Sequence, residues 1–270
     1  MKPPFLPSKQ YNSETLLYRD RILAAGGTLS VATLDAVEKF VRDCRASNLW
    51  DLLLDVGLLA GDQLAAALVK LKAAPGTPVQ LTNHNFVSGD YTERGASGGL
   101  LGDGVCKYLE TGFNPYAQGL TPSDHHLSVY STTNSFAAAY RDALGAFETV
   151  NRFCALRLSG ADGQRNYFYP DTQTSGLATN QAQDTSGYLL GSAGIFYRNG
   201  AAVGTTGGAP AGTLPNVAVH LFAVSTNGVA GAFNDKRLAF YTLGRALSAT
   251  QAAQLNIIVQ TLQANLNRRV

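Results

Sequence analysis

The stretch 195–203, Ile-Phe-Tyr-Arg-Asn-Gly-Ala-Ala-Val, narrows the choice of folds more than any other part of this chain. An apolar and aromatic run is broken by Asn199-Gly200, the dipeptide that best tolerates the positive φ of a type I′ turn, and then resumes; the pattern predicts a β-hairpin. Similar turn signals recur at Gly98-Gly99, Gly102-Asp103-Gly104, Asp162-Gly163, Gly207-Gly208 and Asn227-Gly228. Between them lie strand-length runs at 106–109, 127–131, 155–159, 166–169, 187–190, 194–198, 217–224 and 238–243. Many short strands separated by glycine-containing turns predict a mainly β chain, an antiparallel β-sandwich or jelly roll. The alanine-rich interruption at 136–144 reads as a helical turn on a loop.

The two ends have a different character. Residues 1–12 hold Pro3, Pro4 and Pro7 and read as an extended arm, whose Phe5 and Leu6 offer an apolar contact for assembly on a neighbouring subunit. A helical annex is predicted over 13–80. Ser13 is placed to cap a helix carrying Leu16, Leu17 and Leu23 that stops at Gly26-Gly27, and Ser30 to cap a second with Leu34, Val37, Phe40, Val41 and Cys44 on one face. A shorter helix is expected from Asp62 to Leu71, ahead of Pro75. The sandwich then occupies 81–248. A closing helix over 249–270 begins with the capping box of Ser248 and Gln251, and its stripe of Leu255, Ile258, Val259, Leu262 and Leu266 is expected to pack on the sandwich, with Arg268 and Arg269 at the favourable end of the dipole.

Charged residues make up 15% of the chain, against about 25% in an average soluble protein. Such a surface relies on neutral polar groups, which suits one covered by partners or one that meets a neutral ligand such as a sugar; a plain glycine-rich β protein has the same composition. A net charge of +2 with scattered Lys and Arg argues against nucleic acid binding. Cys44, Cys106 and Cys154 are odd in number and far apart, so neither a disulfide framework nor a zinc site is expected. The N-terminus has no apolar segment of secretory length and no stretch approaches a membrane span, so synthesis in the cytoplasm without a signal peptide or membrane insertion is expected.

Chemistry is sparse. No Glu follows Glu148, and the later acids lie beside turn residues, without the paired carboxylates of a sandwich glycosidase. His125 and His126 point to opposite faces of one strand, so they cannot share a metal; one is expected at the surface and the other half buried. His84 and His220 have no acid or cysteine beside them in sequence, and His220, inside an apolar run, reads as a satisfied core histidine. Neither a Gly-x-Ser-x-Gly elbow nor a phosphate loop occurs. Asp103 and Asp235 sit in turn sequences that suit calcium and turn chemistry equally, and no cofactor is expected. The chain thus reads as non-enzymatic, with Tyr167, Tyr169, Tyr188 and Tyr197 as candidate platforms on which a sugar could stack.

The hairpin at 195–200, the run 216–224 and the ending 238–248 resemble the closing strands of concanavalin-A-like or laminin-G-like jelly rolls, over roughly 86–248. The order of elements, with Asn85-Phe86, Asp90-Tyr91-Thr92, the run 99–109, Thr111-Gly112 and a helix ending near Arg269-Val270, is similar to structural proteins of tailed bacteriophages and prophages. This resemblance implies a virion protein of tail fibre, baseplate or head decoration, partnered by other virion proteins and by copies of itself, with its jelly roll turned outward to host-surface glycan. A carbohydrate-binding module with no tie to a virion is the alternative reading, and a glycan hydrolase the remote one.

Overall fold

The computed structural model describes residues 10–135, 139–160, 165–170, 176–180, 185–206 and 208–270, the side chains of 176–180 excepted. The chain opens with α1 (Ser13–Ala24), α2 (Val31–Ala46), β1 (Leu53–Gly57), α3 (Leu64–Ala67) and β2 (Thr82–His84). Next come β3 (Tyr91–Thr92), β4 (Gly99–Leu101), β5 (Tyr108–Glu110), β6 (His126–Ser131), β7 (Arg141–Thr149), β8 (Arg152–Ser159) and β9 (Arg165–Tyr169). The remainder is β10 (Gly176–Asn180), β11 (Gly187–Ser192), β12 (Ile195–Arg198), β13 (Ala201–Thr205), β14 (His220–Leu221), β15 (Val224–Thr226), β16 (Val229–Gly231), β17 (Arg237–Gly244) and α4 (Ala249–Asn265).

The strands form two sheets. One has eight strands in the order β13-β12-β11-β6-β17-β4-β3, with β1 paired on β17; the other has nine, in the order β10-β9-β8-β7-β14-β5-β2, with the β15-β16 hairpin set against β7. Pairing is antiparallel except where β15 runs parallel to β7. The hairpin predicted at 195–203 is β12 and β13, and Asn199 (φ 48°) and Gly200 (φ 82°) both occupy the left-handed region its turn requires.

Alternation along the strands of the eight-stranded sheet sends apolar residues to both faces. Leu127, Val129, Leu189, Phe196, Tyr241 and Leu243 join a core shared with Leu144, Cys154, Leu156 and Leu158 of the facing sheet. Their neighbours Tyr130, Tyr188, Leu190, Tyr197, Ala239 and Phe240 point the other way, into a second core with Val37, Phe40 and Val41 of α2 and Leu255, Ile258, Val259 and Leu262 of α4. A sheet covered on both sides reads as near-continuous apolar sequence, as these strands do. The capping box of α4 is formed, Ser248 N–H donating to Gln251 Oε1 (2.9 Å) and Gln251 N–H to Ser248 Oγ (3.3 Å).

Several expectations need correction. The leucine-rich segment near Trp50 contains β1, and the helix expected over 62–71 is the single turn α3, after which Val69 bridges Gln80. Asp142, Ala143 and Leu144, read as part of a helical turn, belong to β7, while residues 136–138 lie outside the described residues. The run 217–224 is broken into β14 and β15 at Phe222, whose φ is 64°. Asn12, not Ser13, holds the N-cap position of α1, and its amide groups donate to Glu38 (2.8 and 2.6 Å). Arg268, expected at the favourable end of the α4 dipole, is fully buried and donates to the carbonyls of Leu58 (3.1 Å), Leu59 (2.8 Å) and Ala239 (3.0 Å), tying the tail after α4 to the sheet. The assembly-arm residues Phe5 and Leu6 lie outside the described residues.

Candidate functional site

The four tyrosines proposed as sugar platforms are core residues. Tyr167 and Tyr169 are 0% exposed between the sheets, and Tyr188 (1%) and Tyr197 (2%) lie under the helices. The reason is the double covering: on an open sheet one face of each strand would reach water, but here both inner and outer faces of the eight-stranded sheet are occupied. None of the four presents a ring to solvent.

The outer face of the nine-stranded sheet is the face on which no helix core sits, since the strand residues that cluster with the helices all belong to the other sheet. Its rings are nonetheless committed to one another. His84 stacks on Tyr108 at 4.1 Å with planes 3° apart, Phe153 stacks on Phe168 at 4.4 Å, and the Arg157 guanidinium lies 4.5 Å from Phe168 and 4.4 Å from Tyr140. Ring faces used in this way are not free for a sugar. His84 Nε2 also lies 2.9 Å from Glu110 Oε1, a partner far away in sequence, and His220 is buried as expected but not satisfied as expected: among the described residues its Nδ1 has no hydrogen-bond partner.

A better candidate lies at one end of the sandwich, where two loops meet. Thr111 N–H donates to Val219 C=O (3.2 Å) and Val219 N–H to Phe113 C=O (2.9 Å), and this pairing brings the loop after Phe113 alongside the loop that precedes β14. Asn114 Nδ2 then donates to Asn216 Oδ1 (2.9 Å), while Asn216 N–H donates to Glu148 Oε2 (2.9 Å) at the β7-β8 turn. The segment 114–120 is wound into a tight turn by Gln118 N–H to Asn114 C=O (3.0 Å) and Leu120 N–H to Pro115 C=O (3.1 Å). Between the loops lies a cleft of about 380 Å³ lined by Tyr116, Gly119, Leu120, Thr121, Pro122, Gly212 and Thr213. That size falls in the range of small-ligand sites.

Two features of the cleft point to a ligand. Tyr116 is 48% exposed, and among the described residues no ring or cation stacks on it. Thr213 Oγ1 is buried yet has no hydrogen-bond partner among the described residues. Such a hydroxyl is costly to leave unpaired, and a bound molecule would satisfy it. A second cleft of about 390 Å³, lined by Asp35, Glu38, Lys39, Arg42 and Asn265 among others, is charged; Tyr11 and Asn12, which lead out of the arm, hydrogen-bond to its Asp35 and Glu38.

Beneath the Tyr116 cleft, the sequence-predicted residues reappear in a different role. His125 Nδ1 faces the carbonyls of Thr121 (3.2 Å) and Pro122 (3.1 Å), so it carries the proton, and Nε2 accepts from the Tyr167 hydroxyl at 2.9 Å. Tyr169 stacks on the same imidazole at 5.6 Å. His125 therefore fixes the loop that forms one wall. His126, on the opposite face of β6, bonds the Arg245 carbonyl (2.5 Å) and Thr242 Oγ1 (3.0 Å). Both histidines are buried, against the expectation of one at the surface, and burial pushes both imidazoles down to about 4.

The two turn aspartates considered for calcium are already engaged. Asp103 Oδ1 accepts from the N–H groups of Val105 (2.9 Å), Cys106 (3.0 Å) and Lys107 (3.0 Å), and Asp235 lies 2.7 Å from Lys236 Nζ and 3.4 Å from Arg141 Nε. Among the described residues no cluster of three His, Cys, Asp or Glu side chains could hold a metal ion.

No protein-family model matches the chain, and no curated protein matches it. Solved structures do. A Trypanosoma rangeli sialidase in complex with 2,3-difluorosialic acid superposes with a TM-score of 0.51 at 11% identity, over 85% of this chain and 40% of that one. The same enzyme with the inhibitor DANA gives 0.48 at 12% identity, over 83% of this chain and 38% of that one. The CBM40 of the Ruminococcus gnavus IT-sialidase gives 0.39 at 14% identity, over 58% of this chain and 92% of the module. The chain spans about 40% of the length of the sialidase it matches, and at 11% identity the likeness is one of fold, a two-sheet β-sandwich.

Proposed function

We propose that this chain is a carbohydrate-binding β-sandwich module that seats one sugar residue in the Tyr116 cleft. The observation that carries the reading is the presence, in the lining of one cleft of suitable size, of an exposed tyrosine and of a threonine whose buried hydroxyl is unpartnered among the described residues. A sugar has an apolar C–H face for the ring and hydroxyls that both donate and accept for the threonine. The module acts by binding alone. Among the described residues no carboxylate or histidine lines the cleft, so none of them offers a glycosidic bond held there a general acid or a base. No observation among the described residues favours membership of a virion over this role.

Tyr116→Ala is the direct test. Loss of a stacking platform is expected to weaken glycan binding by about 1–3 kcal/mol, or about 5- to 150-fold, by analogy with base stacking on aromatic side chains. The melting temperature should stay the same, because Tyr116 is largely at the surface. A wild-type chain silent on a broad glycan array, or a variant that binds as well as wild type, would overturn the proposal.

A further inference from the structure

We infer that the Tyr116 cleft selects neutral sugars and turns away acidic ones; the inference rests on the reading of this cleft as a sugar site and names its ligand class. The polar side chains among its lining residues are those of Tyr116, Thr121 and Thr213. Thr121 Oγ1 shares a hydrogen bond with Ser123 Oγ (3.2 Å), and Thr213 Oγ1 has no partner among the described residues. All are neutral groups that exchange hydrogen bonds with sugar hydroxyls. Leu120 and Pro122 supply the apolar wall.

A sugar carboxylate needs more than this. Acid groups are held by charge-assisted bonds, most often from Arg or Lys, and a carboxylate taken out of water without such a partner is strongly disfavoured. Among the described residues no cation lines the cleft. The ion pair next to it in sequence is Asp124 with Arg245: Arg245 Nη1 lies 2.5 Å from Asp124 Oδ2, and Asp124 Oδ1 accepts from Ala246 N–H at 3.0 Å. Arg245 is therefore answered by its own carboxylate, and Asp124 N–H bonds the Thr121 carbonyl (3.0 Å). The occupant that fits is a neutral hexose or deoxyhexose, bound by its C–H face on Tyr116 and by one hydroxyl on Thr213.

The experiment is an array that carries each oligosaccharide with and without a terminal sialic acid, probed with the full chain, followed by calorimetry on the best pair at low and high salt. Binding to the neutral member is expected to exceed binding to its sialylated partner by at least about tenfold, and to change little with salt, since no ion pair forms. Thr213→Val, which keeps the shape and removes the hydroxyl, is expected to weaken neutral-sugar binding by about tenfold while the melting temperature holds. Preference for sialylated glycans, or affinity that falls steeply with salt, would overturn the neutral-sugar assignment and leave the cleft a sugar site. Glycan binding untouched by both Tyr116→Ala and Thr213→Val would overturn it by placing the site elsewhere. Absence of any glycan signal would overturn the sugar reading itself, and this assignment with it.

Discussion

Replacement of Lys70 by methionine is expected to lower the free energy of unfolding by about 3–5 kcal/mol, the range seen when one partner of a buried ion pair is removed. Lys70 and Asp55 are both 0% exposed, and Lys70 Nζ lies 2.7 Å from Asp55 Oδ2 and 2.5 Å from the Thr111 carbonyl. Tyr241 donates to Asp55 Oδ1 at 2.7 Å. The four residues join β1, the segment after α3, the chain beyond β5, and β17. Burial pushes the Asp55 carboxyl up and the Lys70 ammonium down, and their mutual attraction opposes both shifts. Without Lys70, Asp55 is left as an unpaired buried acid beside an orphaned Thr111 carbonyl. The double variant Asp55→Asn with Lys70→Met removes both charges and should recover part of the loss, so the single and double changes will be far from additive. Urea denaturation of the three proteins measures this. A Lys70→Met variant within about 1 kcal/mol of wild type would show that the pair is not held out of water.

The second large effect is acid sensitivity. His125 and His126 each have an imidazole near 4 in the folded chain, against about 6.5 when unfolded. Between these values the unfolded chain binds more protons than the folded one, so stability rises with pH across the window and is lost as pH falls from about 6.5 towards 4. At about 1.4 kcal/mol per unit, each histidine contributes roughly 3 kcal/mol to that loss. Asp103, held low by three backbone N–H bonds, acts in a different window: its contribution fades only below about 4, where an unfolded aspartate takes up its proton. The measurement is the slope of unfolding free energy against pH between 6.5 and 4 for wild type and for His125→Asn with His126→Asn. The variant is expected to be less stable at every pH, and the slope is the quantity that reports the histidines; an equally steep slope in the variant would rule them out as its source. Protonation of His125 falls on Nε2, where it ends the bond accepted from the Tyr167 hydroxyl, while the Nδ1–H bonds to the Thr121 and Pro122 carbonyls persist.

Local chemistry was legible from the residues alone. The Asn199-Gly200 hairpin, the Ser30 cap of α2, the capping box of α4 and its buried stripe all follow from interactions within a few residues of one another, which depend on nothing remote. Broken strands were harder, because the positive φ of Phe222 comes from its pairing with distant segments: its N–H bonds Ala143 C=O (2.7 Å) and its carbonyl accepts from Asn234 N–H (2.8 Å). Tyr116 had a local signal of its own, an aromatic residue between Pro115 and Gly119 in an otherwise polar turn, and such a residue belongs at the surface.

The amino-acid sequence by itself determined that this chain builds short antiparallel strands, tight turns and terminal helices, because turn dihedrals, caps and period-two alternation are properties of neighbouring residues. Which tyrosines are buried and which is free was decided only in three dimensions. Tyr188 and Tyr197 are covered by helices that enter from opposite ends of the chain, and Tyr167 and Tyr169 by the facing sheet. The cleft has the same origin: Tyr116 and Thr213 line one cleft because Thr111 and Phe113 pair with Val219, which continues the β5-β14 ladder and brings two loops remote in sequence together. A period-two pattern states that a strand has two faces; what covers each face depends on packing between segments that no local rule connects.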